Sequence, residues 1–112
     1  MEKKIIRDEH PFRDVIPASI RVGGKLYQIK YQSDPKNGSL LGEHSDYTTE
    51  IVIHETVEGE KISRQSQLET FWHEAVHAVL CAMGRLDLNN DETFVTTVGA
   101  MLNEIMQSAK TK

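Results

Sequence analysis

From Ile20 the chain alternates apolar and polar positions through "IRVGGKLYQIKY". Ile20 and Val22 precede a Gly23–Gly24 pair, and Tyr27, Ile29 and Tyr31 follow it. Two glycines between alternating runs predict a β-hairpin, because both accept the positive φ angles that a tight turn needs. "QSDPKNGS" then gathers turn residues and reads as a loop. A second β-like run, "TTEIVIHETV", spans residues 48–57, and "EGEK" closes it as a turn. The first half therefore predicts a small, largely antiparallel sheet. Residues 1–18 are charged, interrupted by Pro11 and Pro17, and show no sustained period. They read as an irregular arm packed on the edge of a single domain over 19–108, with a short tail at 109–112.

After residue 65 the period changes to that of a helix. Ser66 followed by Glu69 fits a capping box. At about 100° per residue, Leu68, Phe71, Trp72, Ala75, Val76, Val79 and Leu80 fill one broad arc, which predicts the core face. His73, Glu74 and His77 fall together on an adjacent arc, with Thr70 and Cys81 nearby. Gly84 suits the helix end. "RLDLNND" reads as a connector to a second helix from about Asp91 to Ser108, with a stripe of Phe94, Val95, Val98, Met101, Leu102, Ile105 and Met106. The fold class expected is α+β.

Composition narrows the function. A chain of 112 residues forms one domain with a modest core. A net charge of −4 argues against a nucleic-acid partner, since the basic cluster Lys3, Lys4 and Arg7 is small and reads as solvated surface. One cysteine, Cys81, excludes an internal disulfide and suits a reducing compartment. The opening "MEKKIIRDEHPFRD" shows no secretory h-region, and no window resembles a membrane span. A cytoplasmic protein is expected.

The chemistry lies in "ETFWHEAVHAVL", residues 69–80. Side chains four apart on a helix stand one turn apart on one face, so His73 and His77 can direct imidazole nitrogens at a single ion. Zinc accepts such nitrogens at about 2.0–2.1 Å. Glu74 is set back around the helix and suits a general base acting on water that the metal activates. The bland alternative is a wet helix face, against which stand the capping signal and the adjacent apolar stripe. Two histidines leave a catalytic zinc site one protein ligand short. Met83 occupies the position where a third histidine of the extended motif would stand. The second helix is the natural source, and Glu92 and Asp91 both begin it. Either also suits a plain capping role, and spacing favours Glu92 only slightly.

"HEAVHAVL", a short connector and "DETFVTTVGAMLNEIM" resemble minimal zincin-type metallopeptidases of the gluzincin kind. They are most similar to short phage- and prophage-encoded relatives of the ImmA/IrrE metallopeptidase family. The resemblance covers about residues 70–106, and a looser one extends over "LLGEHSDYTTEIVIH", similar to a glycine-led segment that leads into an edge strand. It implies a zincin-like fold, one Zn²⁺ ion, and a third ligand from a glutamate that is followed three residues later by a small or aliphatic residue. Glu92 and Val95 match that pattern, so the resemblance favours Glu92 over Asp91. Ala75-Val76 stands where the family often has glycine or leucine, a harmless departure. Such proteins often carry further domains that select their substrate, for which this chain has no room.

Other residues invite weaker readings. Tyr47, His44 and His54 precede or end the expected edge strand "EIVIH", where each is a candidate oxyanion or substrate contact and each is more simply surface or packing. That strand could also receive an extended peptide. Cys81, one turn beyond His77, is more simply a small buried side chain than a ligand. Trp72, Met101 and Met106 read as core, and His10 as solvated. The expectation is a zinc-dependent peptidase acting on a peptide or protein, with His73, His77 and Glu92 as ligands and Glu74 as base. The alternative is a zincin-scaffold binding module with a structural zinc. A zinc-dependent amidase acting on cell-wall peptides and a metal-free helical interaction protein stand behind them.

Overall fold

The computed structural model describes residues 9–33 and 40–111. Lys3, Lys4, Arg7, most of the "QSDPKNGS" loop and the last lysine lie outside the described residues. Strand β1 (Ser19–Val22) and strand β2 (Lys25–Gln32) form the hairpin that the alternation predicts. Gly23 and Gly24 turn it with φ of 57° and 84°, the conformation that matches the natural twist of paired strands. Strand β3 (Gly42–Ser45) and strand β4 (Glu50–His54) follow, then a two-stranded ribbon of β5 (Thr56–Val57) and β6 (Glu60–Lys61). The strand order of the main sheet is β1-β2-β4-β3.

This order corrects the sequence reading twice. The sheet is mixed, because β4 pairs parallel with β2 in the register Ile29↔Ile51, while β1–β2 and β3–β4 are antiparallel. Parallel neighbours need a long crossover, and here β3 lies outside the place that β4 fills beside β2. The edge strand is consequently β3. "EIVIH" lies inside the sheet between β2 and β3, so its own edges are already paired and it cannot accept an added peptide strand.

Helix α1 (Arg64–Ala82) starts earlier than Ser66, with Ser63 as N-cap accepting from the Ser66 amide. It ends as a Schellman motif: Gly84 at φ 71° donates to the Cys81 carbonyl and Arg85 to the Leu80 carbonyl. The connector folds into a one-turn helix α2 (Leu86–Asn89), and helix α3 (Glu92–Ser108) closes the domain. Helix α1 is covered on two sides. Phe71, Ala75 and Ala78 pack against Tyr27, Ile29, Ile51 and Ile53 of the sheet, while Val76 and Leu80 pack against Val95, Phe94 and Val98 of α3. Ile51 and Ile53 are completely buried, each contributing about 1.5–3 kcal/mol relative to exposure. Two narrow contact faces replace the single arc expected, so Val79 is left exposed, as are Met101 and Ile105 on the outside of α3.

The arm at residues 9–18 is irregular and packs on the domain edge. Arg64 donates to the Asp14 carbonyl, Ile16 touches the sheet core, and His10 is partly buried rather than solvated. Among the described residues no helix is long and apolar enough to cross a membrane.

Two glycines set the approach of neighbouring elements to α1. At Gly99 a Cβ would lie 3.2 Å from the His73 amide nitrogen and 3.3 Å from its Cα, so glycine lets α3 rest directly on the backbone of α1 at His73. At Gly42 a Cβ would overlap Thr70 Cγ2 and stand 3.5 Å from Glu74 Cγ, so glycine lets β3 lie over α1 beside Glu74.

Candidate metal centre

Helical spacing brings His73 and His77 to the same side of α1, with ring centroids 5.0 Å apart. Because Gly99 seats α3 against His73, the first turn of α3 carries Glu92 over both rings. His73 Nε2 lies 3.1 Å from Glu92 Oε2, and His77 Nε2 lies 3.0 Å from Glu92 Oε1. A tetrahedral zinc with bonds of about 2.0–2.1 Å separates its N and O donors by roughly 3.3 Å, so these donors already stand at ligating separations. One atom from each residue falls within 4.8 Å of the others, a group able to hold a metal ion. Asp91 is occupied elsewhere: it is the N-cap of α3, and its carboxylate accepts from the Phe94 amide at 3.0 Å.

The outer nitrogens of both imidazoles have partners. His77 Nδ1 lies 2.7 Å from Asn89 Oδ1, and His73 Nδ1 lies 3.4 Å from Thr96 Oγ1. Since the Asn89 carbonyl oxygen only accepts, His77 Nδ1 carries a proton, and Nε2 is the nitrogen turned toward Glu92, where an ion could take the place of a proton between them. Histidines bound to metals are held in this manner. The sequence reading missed both partners. Thr96 stands one turn after Glu92 on α3 and follows from helical spacing, whereas Asn89 reaches the site only because the connector coils into α2.

Glu74 is buried on the floor of a cleft of about 560 Å³. Leu40, Leu41 and Gly42 form one wall of the cleft, and Glu92, Thr96 and Ala100 form the other. His44, projecting from β3, places Nδ1 3.7 Å from Glu74 Oε1 and stacks on His77 at 5.2 Å with an interplanar angle of 8°. The bond to Glu74 raises the His44 pKa, against the opposing effect of burial. The other two weaker candidates lie away from this cluster. Tyr47 is fully exposed on the turn after β3. His54 is buried, with Nδ1 bonded to the Leu40 carbonyl and Nε2 3.3 Å from Glu43, so it ties the start of β3 to β4. Cys81 is partly buried and reaches toward His44 and Asp46. Compared with protein-family models, with curated proteins and with solved structures, the chain matches none, so the functional reading rests on this geometry.

Proposed function

We propose that the chain is a zinc-dependent peptidase of zincin-like fold, working on a peptide or protein in the cleft between β3 and α3. The observation that carries the reading is the convergence of His73 Nε2 and His77 Nε2 on the Glu92 carboxylate, at 3.1 and 3.0 Å, beside a buried Glu74. Two imidazoles and a carboxylate suit zinc and leave a fourth position for water or substrate. Held by His73, His77 and Glu92, a zinc ion would make its bound water far more acidic than bulk water and would polarise a carbonyl. Glu74, turned to the same cleft, removes the proton from the attacking water and passes it to the amine nitrogen as the C–N bond breaks. His44 steadies the Glu74 carboxylate from the β3 side, and Asn89 keeps His77 in the ligating tautomer. We place this activity in the cytoplasm, where Cys81 stays reduced.

The test compares zinc-loaded wild type with Glu74→Gln on an unfolded model protein. The expected result is cleavage by wild type, with zinc retained at His73, His77 and Glu92 and cleavage reduced by about 10²–10⁴ in the variant. Equal cleavage by the two proteins overturns the general-base assignment. Zinc binding without turnover in either leaves the scaffold as a binding module.

A further inference from the structure

Helix α1 continues its polar face one turn beyond His77 to Cys81. Opposite it, His44 comes from β3 and Asp46 from the turn that follows. His44 Nε2 lies 4.0 Å from Cys81 Sγ, and one donor atom from each of His44, Asp46 and Cys81 falls within 4.8 Å of the others. A sulfur and a nitrogen on one tetrahedral zinc are separated by roughly 3.5 Å, so closing on an ion asks for about half an ångström of movement at the His44–Cys81 pair.

Each of the three donors has a partner outside the group. His44 Nδ1 faces Glu74 Oε1 at 3.7 Å. Asp46 Oδ1 accepts from the Tyr27 hydroxyl. Cys81 Sγ accepts from Asn89 Nδ2 at 3.4 Å. Carboxylate behind imidazole, hydroxyl behind carboxylate and amide N–H behind sulfur are the outer contacts that orient metal ligands and raise their affinity.

We infer that His44, Asp46 and Cys81 form a second metal site, distinct from His73, His77 and Glu92, for a thiophilic divalent ion of the zinc type. Sulfur and imidazole donors exclude magnesium and calcium as preferred occupants. Binding replaces the thiol proton by the ion, forming a metal–sulfur bond and releasing one H⁺ to solvent. Asn89 serves both sites, with its carbonyl on His77 and its amino group on Cys81.

Cobalt(II) titration of the metal-free, reduced chain separates the two sites, because only the second contains sulfur. Wild type is expected to bind two cobalt ions, with a sulfur-to-cobalt charge-transfer band in the near ultraviolet. Cys81→Ser is expected to bind one ion and lose the band, and Asp46→Asn to shift the band's midpoint at least tenfold higher in cobalt with circular dichroism unchanged. Glu92→Ala is expected to lose one ion and keep the band. A single ion without the band in wild type overturns the proposal, as does a band that survives Cys81→Ser. One ion whose band disappears in both Glu92→Ala and Cys81→Ser would show a single mixed site and also overturn it.

Discussion

Asn89 Oδ1 stands 2.7 Å from His77 Nδ1 and fixes which nitrogen of that ring is free to bind. The acceptor arrives from α2, a single turn of helix within what reads in the sequence as a plain connector. Replacing it leaves the three primary ligands in place while releasing the tautomer. Asn89→Ala is expected to weaken zinc binding about 10–100-fold, read by competition with a chromophoric chelator. Unchanged affinity would show that Asn89 is only packing.

The turn that presents Asn89 is clamped at its start. Arg85 Nε and Nη2 donate to the two Asp87 oxygens at 3.0 and 2.8 Å, and this pairing lowers the Asp87 pKa from 3.8 to about 2. A carboxyl depressed in the folded state stabilises it above the unfolded pKa of 3.8, and that contribution is lost as pH falls through about 2. Carboxylate NMR titration should therefore find Asp87 below 3.8, returning toward that value in Arg85→Gln. Solvent screening of this exposed pair keeps both the depression and the loss of thermal stability at neutral pH small.

The hairpin and both long helices are legible in the sequence because each buries a regular subset of its own residues. Tyr27 and Ile29 alternate inward, and α3 buries Val95, Gly99 and Asn103 at helical spacing. Strand β3 leaves no such trace. "GEHS" has no apolar alternation, and its pairing rests on backbone hydrogen bonds to β4 and on the absence of a side chain at Gly42. The parallel pairing of β2 with β4 is likewise invisible in either strand, since it depends on the route of the intervening chain. His73, Glu74 and His77 share a face by spacing alone. Glu92 joins them through tertiary contact, and Asp46 through a turn whose path no local pattern specifies. His54 looked like a candidate because it ends a strand, yet inside a central strand that position is buried.

Gly42 lets the edge strand descend onto α1. A side chain there would overlap Thr70 Cγ2 and stand 3.0 Å from the Val52 carbonyl oxygen, a backbone atom that cannot swing aside. Gly42→Val is expected to destabilise the fold by about 1–3 kcal/mol through overpacking and to lift β3 from Glu74. Urea denaturation reads the first effect. Faster amide exchange confined to residues 42–45 reads the second, and unchanged protection there would refute the account.

At Gly99 two effects of similar size oppose each other. Alanine in a helix interior gains roughly 0.8–1.0 kcal/mol over glycine, but its Cβ would sit 3.2 Å from the His73 amide nitrogen and 3.3 Å from Cα. Relief requires the helices to part by a few tenths of an ångström, which stability alone tolerates. The metal centre is less forgiving, because Glu92 rides on α3 while both histidines ride on α1. Gly99→Ala should therefore change urea stability by less than about 1 kcal/mol while weakening zinc binding. Gly99→Val, with a branched side chain in the same gap, should lose about 1–3 kcal/mol and most of the zinc affinity. The informative measurement is the ratio of the two effects across the pair of variants. If zinc affinity falls only in proportion to stability, the close helix contact serves packing and does not tune the site.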